Sequence, residues 1–314
     1  MLGRTANALF WMFRYLERVD NTARMIDAGL RMALTRDLVT SEEEWRSVIA
    51  AAGQRAGYER RHASYTGVQA WNFMLRDRDN AASVLAMFGQ VRDNARQARN
   101  VVTSEIWQAV NDSWMQIRDL LAKPVGEQRL GDVLGAIRQA GMLVHGAIIG
   151  TMPRDEAFHF ARAGTFIERA DNVARLLDIK YYLLLPSLNY VGSSLDTGQW
   201  DSVLRAVSGD RAYRWLNNAQ IDARGIVQFL VFDTRFPRSL AYCHAALRSH
   251  LDSIARIHGR EGASHAMMRE AAQTLDETGL EGVFERGLHE FLIGFLATNT
   301  RVGLAVAQDY RFLA

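Results

Sequence analysis

The chain has 314 residues and a mass of 35.4 kDa, with 48% hydrophobic and 23% charged residues. That is enough apolar mass for a large core and too little charge for a disordered chain. The 37 basic and 35 acidic residues leave a formal charge of +2, which argues against nucleic acid or an anionic membrane as the main partner. The single cysteine, Cys243, excludes an internal disulfide and a cysteine metal cluster.

The N-terminus carries Arg4 and Arg14 and no cleavable apolar stretch, so it does not read as a signal peptide. No uncharged run approaches the ~18–20 residues of a membrane helix, and a cytoplasmic protein is expected. Strand signals are nearly absent and the four prolines, Pro124, Pro153, Pro186 and Pro237, all fall at helix ends. The expected fold is all-α: a large helical bundle in a single domain over residues 1–314.

In chain order, the apolar spacing predicts a helix over 2–35 and a short one from Ser41, where "SEEE" makes a capping box with Glu44. Residues 53–61 read as loop. A helix over 62–75 follows, then a long one from Asn80 to Lys123 with a bend at Thr103-Ser104. Further helices are predicted over 131–150 and 154–185. The stretch 187–215 reads as the longest irregular connection. Helices over 217–233, 238–258, 263–276 and 282–311 complete the chain.

One pattern occurs twice. "YLERVDNTARMID", Tyr15 to Asp27, returns as "FIERADNVARLLD", Phe166 to Asp178, with seven of thirteen positions identical and the others mostly apolar exchanges. A weaker echo pairs Val68–Arg76 with Val227–Arg235, and a third, offset by one residue, lies in Val91–Arg99. Two related halves packed on one core, roughly 1–152 and 153–314, are expected.

At ~100° per residue, Glu17, Asp20, Asn21 and Arg24 share one helical face, with Arg18 on its flank. Glu168, Asp171, Asn172 and Arg175 do the same, with Arg169 on the flank. Leu16, Val19, Ala23 and Ile26 point the other way. A solvated face would account for the polarity and for the i,i+4 pairs Asp20–Arg24 and Asp171–Arg175, but it has no need of these particular residues. Recurrence of identity predicts that both faces are partnered. Two readings stay open: a structural network in which each carboxylate meets an arginine of the other copy, or a ligand or catalytic site.

Elsewhere the signals are weaker. Asp155 and His159 have a permissible i,i+4 ligand spacing, yet an acidic helix start explains them and no metal is expected. His289-Glu290 is an isolated pair. Cys243 reads as a buried thiol rather than a nucleophile. Trp71, Phe73, Trp107 and Trp114 read as packing. No P-loop, HExxH, GxSxG or GxGxxG motif is present, so no cofactor is expected and any nucleotide belongs to a partner.

"WMFRYLERVDNTAR", "SEIWQAVND", "FIERADNVARLLDIKYYLLLP", "FPRSLAYCHAAL" and "VGLAVAQDYRF" together resemble the bacterial Alpha-E family, across nearly the whole chain. The resemblance implies an all-α domain with its Glu-Arg motifs at Glu17-Arg18 and Glu168-Arg169. It also implies a setting beside an ATP-grasp ligase, with a transglutaminase-like protein nearby, and hence a role in ATP-dependent peptide ligation or modification. In that setting Arg24 and Arg175 are expected to bind a carboxylate or phosphate, with Glu17 and Glu168 orienting them or, as the lesser alternative, acting as general base toward an amine. The competing expectation is a non-catalytic scaffold. Family resemblance assigns no catalytic residue.

Overall fold

The computed structural model describes all residues except 34–37, 184–193, 218–220 and 313–314, with backbone alone for 38–40, 179–183 and 194–196. Two long helices form its axis, α1 (Gly3–Ala33) and α8 (Glu156–Leu183), which pack against each other more extensively than any other pair. They cross at a close approach: a β-carbon on Gly164 would stand 2.2 Å from the Phe10 carbonyl oxygen. Only glycine allows the backbones so near.

The remaining helices repeat one order on each side of that axis. After α1 come α2 (Leu38–Ala51), α3 (Arg55–Glu59), α4 (Gly67–Arg76), α5 (Val84–Gln97), α6 (Ser104–Leu120) and α7 (Glu127–Thr151). After α8 come α9 (Ser194–Ala206), α10 (Asp210–Asn217), α11 (Ala223–Val227, continued by a π turn over Gln228–Phe232), α12 (Leu240–His258), α13 (Ala263–Arg286) and α14 (Leu288–Asp309). Contacts repeat as well: α5 and α7 flank α1 as α12 and α14 flank α8, while α2 reaches across to α8 as α9 reaches across to α1. Among the described residues there is no strand. Apolar side chains from both halves, among them Leu9, Phe13, Leu16, Phe88, Phe160, Ile167, Leu247 and Val302, form one continuous core.

Local chemistry sets the boundaries, and in several places moves them from the expected positions. The long helix expected over 80–123 is two helices, because Ser83 caps α5 through the Ala86 amide and Thr103 starts α6 by accepting from the Ile106 amide. Helix α2 begins at Leu38, so Ser41 lies inside it rather than capping it. Residues 55–59, expected as loop, form the single turn α3. Within the stretch expected to be irregular, α9 and α10 form because Trp200, Val203, Leu204 and Tyr213 recur at helical spacing and are buried; residues 187–193 lie outside the described set. The expected break between 276 and 282 is a kink at Gly279 (φ 55°), and the chain interrupts the helix at Gly287 (φ 97°).

Helices α7 and α14 contain windows of mean hydropathy 1.3 and 1.2, long and apolar enough by composition to cross a membrane, and are 39% and 44% buried there. Neither was expected as a membrane helix, because no uncharged run in the sequence approaches ~18–20 residues.

Candidate functional site

The two Glu-Arg motifs meet where α1 and α8 cross. Both glutamates are fully buried, Glu17 and Glu168 each 1% exposed, although they lie on the faces the helical wheel marks as polar. A desolvated carboxylate needs compensating charge, and each finds it in the other copy. The Arg169 guanidinium donates to Glu17 through Nε (3.2 Å) and Nη2 (2.5 Å). Reciprocally, Arg18 donates to Glu168 through Nε and through Nη2 at 3.2 Å. Asn172 adds a bond from Nδ2 to the Glu17 carbonyl oxygen (3.3 Å), across the same interface.

Each glutamate has a further partner that the motif does not contain. His145 of α7 approaches Glu17 Oε1 through Nε2 at 3.0 Å, and Arg238, ahead of α12, lies 3.7 Å away. Glu168 instead accepts from Arg14 Nε at 2.7 Å. Burial opposes ionisation of both acids, but the surrounding cations overcome it and hold both carboxyls below their ordinary range, Glu17 well below. Burial pushes His145 down, so the neutral ring donates Nε2–H to Glu17, leaving Nδ1 without a hydrogen-bond partner.

The aspartates behave differently from one another. Asp20 accepts from Arg24 Nε (2.7 Å) and from Arg238 Nη2 (3.0 Å). Asp171 accepts from Arg175 Nε (2.6 Å), and burial together with the nearby Glu168 raises its carboxyl above the ordinary range. Arg24 is also anchored through Nη1 to the Ala206 carbonyl (3.2 Å) and the Ser208 hydroxyl (2.6 Å). Asn21 spends its amide on Met25 Sδ (3.2 Å).

The expected division of labour therefore changes. Glu17 and Glu168 do not orient Arg24 and Arg175; they hold Arg169 and Arg18, and the aspartates one turn on hold Arg24 and Arg175. Arg24 is committed to its own surroundings, with a side chain only 12% exposed, whereas Arg175 is 42% exposed. Arg169 and Arg18 differ likewise, at 12% and 36%.

That difference marks an opening. The second copy borders a cleft of about 620 Å³ lined by Tyr15, Arg18, Asn21, Met87, Glu168, Asp171, Asn172 and Arg175, with Ala51–Gln54 and Ala81–Ala82 as its rim. Two further hollows, of about 560 and 470 Å³, share Gly53 with it and bring Arg46, Arg55, Arg60 and Arg61 nearby.

Besides the exchange of His145 for Arg14 as the extra partner of the glutamate, two positions distinguish the copies. Ser83 and Ser239 cap α5 and α12 in the same way, so Ala82 stands where Arg238 stands. Gly53 (φ 69°) and Ser208 (φ 54°) are the left-handed residues that follow α2 and α9, so Gly53 stands where Ser208 receives Arg24. In the first copy a guanidinium and a hydroxyl fill the space. In the second, a methyl group and a hydrogen leave it open.

Arg14, His145, Arg238 and Ser208 escaped the sequence reading because none lies within the repeated motif. Their only signals were an arginine one turn before the motif glutamate and the interruption of a serine-capped helix start by "PR". Arg162, over the Phe166 ring at 4.6 Å, is pushed down to about 10 by burial and Arg169. Cys243 is buried, its thiol raised to about 12, and its Sγ faces the Pro237 carbonyl at 3.7 Å, which suits a packing role. Asp155 caps α8 through the Phe158 amide (3.2 Å), and His159 faces His250 (2.9 Å). His289 pairs with Asp178 at 2.6 Å. A separate hollow of about 400 Å³ lies between α12, α13 and α14 beside His244 and contains no motif residue.

The sequence profile of the Alpha-E family, a predicted alpha-helical domain with a conserved ER motif, matches residues 1–311. This chain belongs to the Alpha-E family. Uncharacterized proteins of Mycobacterium bovis and Mycobacterium tuberculosis are each 22% identical to it over 323 aligned residues, covering 94% of the chain and 35% of their own length. The chain thus spans about a third of these curated relatives. No solved structure matches it. In this Alpha-E chain the two Glu-Arg pairs, Glu17-Arg18 and Glu168-Arg169, make the reciprocal exchange between α1 and α8.

Proposed function

We propose that this Alpha-E protein is the substrate-holding component of an ATP-grasp-linked system for peptide ligation or modification, and that the cleft beside the second Glu-Arg motif receives the substrate. The observation that carries the reading is the unequal filling of two otherwise matching ionic sites: one is packed shut, the other opens on about 620 Å³ walled by charged groups held in fixed positions. Such a cleft, with a few converging polar side chains, suits a small ligand. The ATP-grasp ligase supplies the nucleotide, and a transglutaminase-like protein acts on the same material; the family resemblance supports both partners, and the use of a single cysteine suits a reducing, cytoplasmic setting. The chain binds and orients, and the ligase performs the bond-forming step.

A second reading applies to the first motif. Glu17, sealed among Arg169, His145 and Arg238, fits a structural charge network that fixes the pairing of α1 with α8. A scaffold role for that copy is compatible with ligand binding at the other.

Asn21→Trp tests the cleft, since it fills the space without removing an ion pair. With the ATP-grasp partner present, the variant is expected to melt normally and to lose ATP-dependent amide product. Unchanged product formation by the folded variant sinks the reading.

A further inference from the structure

The closed copy shows what the open copy can hold. Asp20 has two guanidinium partners, one from its own helix and one from Arg238. Asp171 has the first, Arg175, while Ala82 occupies the position from which the second would come. Arg14 acts on Asp171 by charge alone: its Nε is engaged by Glu168 at 2.7 Å, and no hydrogen bond joins it to Asp171. Asp171 is thus a largely enclosed carboxylate with one side turned to the cleft, facing a space that is filled by an arginine head in the matching copy.

We propose that the cleft receives a cationic head, the guanidinium or primary ammonium of an arginyl or lysyl peptide, at Asp171, in the place corresponding to that of the Arg238 guanidinium beside Asp20. The inference rests on the reading of this cleft as the substrate site and names the substrate's chemistry. A planar guanidinium fits a carboxylate through paired N–H donors, as in the closed copy, whereas an ammonium makes a point contact. Arginyl peptides are therefore the preferred ligands and lysyl peptides bind second. A cation entering there opposes by its charge the raising of the Asp171 carboxyl by burial and by Glu168. Arg18 and Arg175 set the opposite limit: they face the same cleft, so the cation must bind at the Asp171 carboxylate itself rather than anywhere along the wall.

Calorimetric titration of the purified chain with Ala-Arg-Ala, Ala-Lys-Ala, Ala-Glu-Ala and the neutral citrulline analogue of the first peptide decides the matter. The arginyl peptide is expected to bind at least tenfold more tightly than the citrulline analogue. Ala82→Arg, which places a guanidinium where the first copy has one, should abolish that binding while leaving the melting temperature unchanged or raised. Should that variant fail to fold, Asp171→Asn provides the same test and should erase the preference for arginine over citrulline. Equal binding of arginine and citrulline peptides, tighter binding of the glutamyl peptide, or no binding at all overturns the cation assignment. If Asn21→Trp still blocks product formation in any of those cases, the cleft remains the substrate site and only its chemistry was misassigned.

Discussion

The two motif copies hold the same four residue types in the same register, yet one is closed and the other open. Around Glu17 and Asp20, every cation is enclosed, and Arg238 and Ser208 complete the packing. Around Glu168 and Asp171, Arg14 is enclosed but Arg18 and Arg175 are partly exposed, and the space opposite is bounded by Ala82 and Gly53. The motif itself therefore provides the ionic clamp between α1 and α8. Whether a clamp also borders open space is decided by two residues outside it.

The largest expected effect comes from breaking the closed copy. Glu17→Gln leaves Arg169 buried without its acid and Arg238 with Asp20 alone, and is expected to cost ~3–5 kcal/mol, read as a drop in denaturant midpoint at unchanged slope. Glu168→Gln should cost less, because Arg18 can turn toward the water of the cleft; equal losses would show that the cleft gives no relief. Next, Arg238→Ala removes the plug and one partner of Asp20, for a loss of ~1–3 kcal/mol. Millimolar guanidinium should raise the melting temperature of this variant and not that of Ala82→Arg, which would show that the two pockets are interchangeable.

A pH series sharpens the comparison further, because the first glutamate has a histidine where the second has Arg14. The pKa of His145 is lowered by burial, so its contribution to stability is fully present above the ordinary value of 6.5 and is lost as pH falls through the folded value. Melting temperature should begin to decline below pH 6.5, with a second decline below 4.5 as Glu17 and Glu168, depressed in the folded state, become protonated. His145→Gln should remove part of the first decline; an unaltered profile would show that the ring does not titrate with folding. The smallest effect is expected for Ser208→Gly, which relieves a left-handed serine (φ 54°) but loses the hydroxyl bonded to Arg24. The two terms oppose each other and the net change should stay within ~0.5–1 kcal/mol.

The all-α class and most helices were legible in the sequence because apolar spacing reports burial directly: the stripe Leu16, Val19, Ala23 and Ile26 packs inward as its period requires. The exchange of arginines between copies was only one of the two readings that the repeated charged faces left open, and the sequence held no means of choosing between them. What the spacing could not show was which element completes each face. Arg238 reaches Asp20 from 218 positions away, and His145 comes from a helix whose own pattern gives no hint of a polar partner. The opening depends on side chains being small at 53 and 82, and absence of bulk has no periodicity. Helices α9 and α10 were missed because Gly, Ser and Asp crowd their flanks and lower the local signal, while burial of Trp200 and Tyr213 overrides it.

The reciprocal pairing of Glu17 with Arg169 and Glu168 with Arg18 has a consequence for how the chain comes into being. Neither half can neutralise its own interior acid, so a ribosome that has released only the first 150 or so residues has produced something that cannot yet settle. Severed in the turn between α7 and α8, the two fragments should each stay molten when alone and regain helical order only when mixed, in one-to-one stoichiometry. The charges that look like an ornament of two separate helices are what obliges them to be one molecule.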